Sequence, residues 1–187
     1  QVAEGSDVLL LCVSGDEAVE AVLFGPNGAS HSLREGSFVV DFSTISPSKA
    51  RSCANRLSRR NIVYLDAPVS GGTEAAKIGE LTIFIGGSQD SVKPLRKLLN
   101  VIGSSIYTFG CVGKGQEVKA INQILVAGSY SAVAEAIALG QSLGLPMKIV
   151  VDALQKGAAN SWALKHRSKA MILDKYPLGF KLELHHK

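Results

Sequence analysis

The sequence predicts an α/β fold: a mainly parallel sheet in the first part of the chain, followed by an all-α part that one long helix leads. Three observations carry this. Short apolar runs alternate with helical stretches up to about Phe109. The runs are apolar at consecutive positions, as in strands buried on both faces between layers of helix. From Gln116 onward, small and apolar residues continue without a breaker, apart from Gly128, until Gly140, Gly144 and Pro146.

Taken in order, Asp7 to Ser14 (DVLLLCVS) reads as a strand that ends at Ser14 and Gly15. Ala18, Val19, Val22 and Leu23 then recur at helical spacing. Ser37 to Phe42 is a second strand, and Ser43, Thr44, Ser46 and Pro47 form a turn opening a helix to about Arg60, with Pro47 suited to its first turn. Ile62 to Leu65 gives a third strand and Leu81 to Ile85 a fourth, bounded by Gly79 and by Gly86-Gly87. Ser91 to Leu99 reads as helix and Ser105 to Phe109 as a last short strand. The long helix spans roughly 40 Å at ~1.5 Å per residue, enough to leave one domain and enter another. Helices over Ile149 to Gln155 and Trp162 to Leu173 follow, and the domain boundary falls near Gly113 to Gly115.

Composition narrows the class. The 187 residues are 46% hydrophobic and 19% charged, enough apolar material for a sizeable core. Net charge is +4, but Lys and Arg are scattered among acids with no basic, aromatic-laced stripe, so nucleic acid is not an expected partner. The most lipid-like stretch, Ala120 to Gly140, contains Asn122, Gln123 and Glu135, which are costly in a bilayer. It is read as a buried soluble helix, with no membrane association. No basic segment followed by an apolar one opens the chain. Cys12, Cys53 and Cys111 form neither a C-x-x-C pair nor an even set, so a reducing, cytoplasm-like compartment fits and no metal is expected. Cys12, inside an apolar run, reads as a small core residue. His166, His185 and His186 lack carboxylate or cysteine partners at metal-site spacing.

Two stretches carry chemistry. Asp66-Ala67-Pro68-Val69-Ser70-Gly71-Gly72 follows the third strand directly. Ligands of open α/β sheets lie at the carboxyl ends of strands, and consecutive glycines let backbone N–H groups approach a carboxylate. Two readings stand there: an anion cradle with Ser70 as a hydroxyl donor, or a turn whose glycines satisfy backbone geometry. The second stretch, Gly113-Lys114-Gly115-Gln116, leads into Lys119, Asn122 and Gln123. Positions i, i+3 and i+4 share a helix face, so an ammonium and two amides converge on one small polar ligand. A lysine desolvated among Val118, Ala120 and Ile121 has a lowered pKa and serves as acid or base near neutral pH; the alternative is a lysine that snorkels to solvent. Val13 and Ser14, and Ser43 and Thr44, end the first two strands, where either a dinucleotide or an ordinary helix cap is accommodated.

Val39 to Pro47, Asp66 to Gly72 with Ala76 and Gly79 following, and Gly113 to Gln123 together resemble the β-hydroxyacid dehydrogenases. That family includes 3-hydroxyisobutyrate dehydrogenase, tartronate semialdehyde reductase and, more distantly, 6-phosphogluconate dehydrogenase. The likeness runs through essentially all 187 residues in order. It implies a partial Rossmann-type dinucleotide-binding domain over residues 1–114, lacking its first β-α-β unit and the G-x-G-x-x-G turn. An all-α substrate and oligomerisation domain follows over residues 115–187, cut short at its carboxyl end. The implied activity is reversible hydride transfer between NAD or NADP and a small β-hydroxyacid, or its semialdehyde. Lys119 is the implied catalytic residue, and Ser70, Gly71, Gly72, Asn122 and Gln123 bind the substrate. Val13, Ser14, Thr44 and Lys187 contact the cofactor. Ser14 stands where several relatives carry Pro, a tolerable change if the contact is made through backbone. The contrasting class is a dehydrogenase-like module that binds or oligomerises without turnover, or an inactive fragment; the presence of Lys119 with its amide neighbours speaks for the enzyme.

Overall fold

The computed structural model describes residues 2–176, and the chain divides after Ala120 into two compact units. In the first, β1 (Val8–Leu11), β2 (Phe38–Asp41) and β3 (Val63–Asp66) lie side by side in that order, all parallel. Their register sets Leu11 beside Asp41 and Asp41 beside Asp66. Consecutive residues of each strand face opposite sides. Val39 and Tyr64 join one core with Val19 and Leu23 of α1 (Asp16–Phe24) and Ala50, Cys53 and Leu57 of α2 (Pro47–Ser58). Val40 and Leu65 join a second core on the other side. This two-sided burial is what apolar runs without alternation require.

A second three-stranded sheet follows, and it is not parallel throughout. Only Ala67 and Pro68 separate β3 from β4 (Val69–Ser70), too little chain for a crossover connection. The chain returns through α3 (Gly72–Lys77), and β5 (Thr82–Ile85) pairs antiparallel with β4. The Pro68 carbonyl accepts the Phe84 N–H at 2.9 Å, and an antiparallel bridge joins Asp66 to Gly86. β6 (Ser105–Thr108) then adds to β5 in parallel. Between them the expected single helix is broken into α4 (Gln89–Val92), a 3-10 turn containing Pro94 and α5 (Arg96–Ile102). Proline's missing N–H accounts for the interruption.

Cys12 is exposed, contrary to its reading as a core residue, and Cys53 is the buried thiol. β1 is an edge strand, and the period-two alternation that turns Leu11 inward turns Leu10 and Cys12 outward.

The helix α6 (Lys114–Ser142) runs for 29 residues, about 44 Å at ~1.5 Å per residue. The second unit holds most of it, with α7 (Met147–Leu154) and α8 (Trp162–Leu173). Val133 and Ile137 of α6 pack with Met147, Val151, Ala163 and Leu164. The expectation of a buried α6 is overturned, because only 17% of its most apolar stretch is buried. Packing within this unit covers α6 chiefly at Val133 and Ile137 and leaves Ile121, Ile124, Leu125 and Leu139 exposed. By length and composition α6 is apolar enough to cross a membrane.

Candidate functional site

The first unit gathers its polar interior at the carboxyl ends of β1, β2 and β3. Two of these strands end in aspartate, Asp41 and Asp66, and both are fully buried. An ionised carboxylate survives burial only when hydrogen-bonded, and each of these is. Asp41 accepts the Ser43 N–H at 2.8 Å and the Tyr64 hydroxyl at 2.8 Å. Asp66 accepts the Gly113 N–H at 2.7 Å and the Gln116 N–H at 2.9 Å. Burial pushes both carboxyls above the usual range, opposed by these donors. It also raises the Tyr64 hydroxyl, which faces Asp41, and carries the Cys53 thiol to about 11.

Asp66 does for α6 what a capping side chain does from the position before a helix. It satisfies amides at the amino-terminal turn and sets a carboxylate at the positive end of the dipole. Tight packing fixes the approach. A Cβ on Gly115 would sit 2.3 Å from the Phe84 carbonyl oxygen and 2.8 Å from an Asp66 oxygen. α6 therefore starts directly against the sheet.

Five residues into α6, Lys119 is half-buried and its Nζ donates to the Val69 carbonyl at 2.9 Å. Burial lowers its pKa below that of an ordinary lysine. This brings Lys119 to the residue immediately before Ser70, although fifty positions separate them in the chain. Ser70 is half-buried in the edge strand β4. Gly71 and Gly72 have φ of 129° and 69°, backbone that side-chain-bearing residues rarely adopt. Their turn thus has its own need for glycine. Asn122 and Gln123 belong to the second unit, where Asn122 Nδ2 donates to the Gln123 side-chain oxygen Oε1 at 3.0 Å.

On the β1–β2 side, the Val13 N–H donates to Ser43 Oγ at 2.9 Å. Thr44 is half-buried between buried Ser43 and Ile45. Neither Ser43 nor Thr44 caps α2; Ser46 does, accepting the Lys49 N–H while its own N–H and Oγ bond to the Asp16 carboxylate. Ser14 is exposed at the end of β1, ahead of Gly15 and α1. Lys187 lies outside the described residues, as do His185 and His186. The strand ends therefore present Val13, Ser14 and Thr44 along one rim, with Val13 and Thr44 on a braced backbone. That fits one side of a dinucleotide. Among the described residues no group of three or more His, Cys, Asp or Glu side chains stands together for a metal ion.

Sequence reasoning passed over Asp41, Tyr64 and Gln116 as members of this site. The available signal was that two apolar strands end on Asp in matching places, since such a carboxylate must find buried donors.

Comparison with known proteins covers the whole chain. Residues 1–113 match the NAD binding domain of 6-phosphogluconate dehydrogenase. Residues 113–187 match the family described as NAD-binding of NADP-dependent 3-hydroxyisobutyrate dehydrogenase. The chain is 37% identical over 187 residues to the 2-hydroxy-3-oxopropionate reductase of Escherichia coli (strain K12), covering 100% of this chain and 64% of the relative. It is 34% identical over 188 residues to the 2-(hydroxymethyl)glutarate dehydrogenase of Eubacterium barkeri, covering 100% and 62%. The crystal structure of 3-hydroxyisobutyrate dehydrogenase from Salmonella typhimurium superposes with a TM-score of 0.89 at 33% identity, over 98% of this chain and 64% of that one. The chain thus spans less than two thirds of the length of these relatives. With both family domains matched in order along its whole length, the chain belongs to the β-hydroxyacid dehydrogenase family.

Proposed function

We propose that the full-length protein is an oxidoreductase that transfers a hydride between NAD or NADP and a small β-hydroxyacid, or its semialdehyde, with Lys119 as general acid and base. The observation that carries this reading is the half-buried Lys119 amine, its pKa lowered by burial, bonded to the carbonyl of the residue preceding Ser70. A lowered pKa raises the share of neutral amine that can take a hydroxyl proton at a given pH.

A bound dinucleotide supplies the acceptor or donor of the hydride. Val13, Ser14, Thr44 and Lys187 are the residues of this chain proposed to hold it. Ser70 and the Gly71-Gly72 backbone orient the substrate carboxylate, which sets the carbinol carbon for reaction. Asn122 and Gln123, one turn beyond Lys119 on α6, supply further amide contacts to the substrate. During oxidation Lys119 takes the hydroxyl proton; during reduction it returns one to the carbonyl oxygen. Hydroxyacid names recur among the relatives, which supports this substrate class. The apolar side chains that α6 exposes, Ile124 and Leu125 among them, support self-association through the all-α part.

The test is a panel of small hydroxyacids and semialdehydes offered to the full-length protein with NAD or NADP, followed by nicotinamide absorbance. Turnover of at least one β-hydroxyacid is expected. Dinucleotide binding without turnover of any member would leave a binding module in its place.

A further inference from the structure

The Gln116 side chain is 2% exposed, one turn ahead of Lys119 on the same helix. Its Nε2 donates to the Ser43 carbonyl at 2.8 Å, and its Oε1 accepts the Ile45 N–H at 3.2 Å. The two bonds flank Thr44. A single buried amide therefore grips the β2–α2 loop on both sides of the half-buried Thr44. The backbone N–H of the same glutamine is held by Asp66 at 2.9 Å. From the other direction Ser43 is held by Asp41, itself bonded to Tyr64, and Ser43 in turn takes the Val13 N–H.

We infer that Gln116 is a positioning residue: it couples the strand-end loop carrying Thr44 to the amino-terminal turn of the helix carrying Lys119. This rests on the proposed reading of the Thr44 rim as dinucleotide-binding and of Lys119 as the proton carrier. A buried glutamine that only filled space would need any satisfied partners. This one spends both ends of its amide on the peptide units around a single residue, 71 and 73 positions away in the chain. The Thr44 backbone is thereby fixed relative to α6 before any ligand arrives, which lowers the ordering cost of binding.

The test compares wild type, Gln116→Met and Gln116→Glu in the full-length protein. Methionine keeps the length and helix preference and loses both bonds; glutamate keeps the acceptor for Ile45 and loses the donor to Ser43. Three quantities are read: affinity for reduced NAD or NADP without substrate, by nicotinamide fluorescence; amide hydrogen exchange over residues 43–46; and the pH profile of turnover. For Gln116→Met, dinucleotide affinity weakens roughly tenfold, the expected order for two lost buried hydrogen bonds. Exchange at Ile45 quickens, and the pKa of the Lys119 limb stays in place. Gln116→Glu loses affinity in the same direction, which keeps the test open if Gln116→Met fails to fold. Wild-type affinity in folded Gln116→Met or Gln116→Glu, with only thermal stability lowered, overturns the coupling and leaves the proposed reaction standing. If wild type binds dinucleotide and the variants lose that affinity while no hydroxyacid turns over, the coupling stands and the substrate reading falls. Absence of dinucleotide binding by wild type overturns both.

Discussion

At the scale of single residues, the site sorts by what each side chain is bonded to. Lys119 has left bulk water for the Val69 carbonyl, and the direction of its pKa shift follows. Because its folded-state pKa lies below the ordinary lysine value of 10.5, the neutral amine accumulates from a lower pH. In the role proposed for Lys119, hydroxyacid oxidation needs that neutral form, so kcat/KM for oxidation should rise with pH about a midpoint below 10.5. Semialdehyde reduction needs the ammonium and should fall above the same pKa. Profiles measured in both directions check this; an oxidation limb centred at the ordinary lysine value would remove the assignment. Ser70→Ala should raise the hydroxyacid KM and lower kcat together, with roughly 10- to 100-fold lost in kcat/KM for one hydrogen bond to a charged group. Steady-state kinetics on the best hydroxyacid measure it, and a change in kcat alone would move Ser70 out of substrate binding.

At the scale of elements, the start of α6 matters most, because one helix presents Gln116 and Lys119 from a turn packed against β3 and β5. Gly115 permits that approach. Alanine there would gain about 1 kcal/mol of helix propensity but set its Cβ 2.3 Å from a backbone oxygen, and overpacking of this kind costs about 1–3 kcal/mol or more. The clash should win, so Gly115→Ala lowers the thermal midpoint. Gly128 lies in the same helix with nothing within 4 Å of an added Cβ, so Gly128→Ala should stabilise by roughly 1 kcal/mol. Thermal unfolding of both variants tests the contrast, and stabilisation by both would mean that α6 does not approach the sheet as described. The elements themselves were largely legible. Apolar runs marked β1, β2, β3, β5 and β6, and a breaker-free stretch marked α6. The antiparallel β4–β5 pairing was not, because Val69-Ser70 is too short a run to have a period and its partner lies beyond an intervening helix. The exposure of α6 was hidden for another reason: composition reports how apolar a helix is, and only packing reports how much of it is covered.

At the scale of the whole molecule, the chemistry-bearing motifs could be read locally, but the polar network that braces them could not. Ser70 and Lys119 drew notice through their neighbours in sequence. Tyr64 and Gln116 work through partners 23 to 73 positions away, and the only signal in the sequence was the pair of strands that end on Asp. The fold is proposed to serve a dinucleotide-dependent oxidoreductase whose proton moves through Lys119. The most direct test measures kcat and dinucleotide affinity together for Lys119→Ala in the full-length protein, with Lys119→Arg beside it. Loss of general acid–base help should lower kcat roughly 10²- to 10⁴-fold, about 3 to 5 kcal/mol of barrier, while dinucleotide affinity holds. Arginine should rescue poorly, because a guanidinium does not release its proton near neutral pH. Near-normal turnover by Lys119→Ala would show that another group carries the proton and would overturn the role proposed for Lys119.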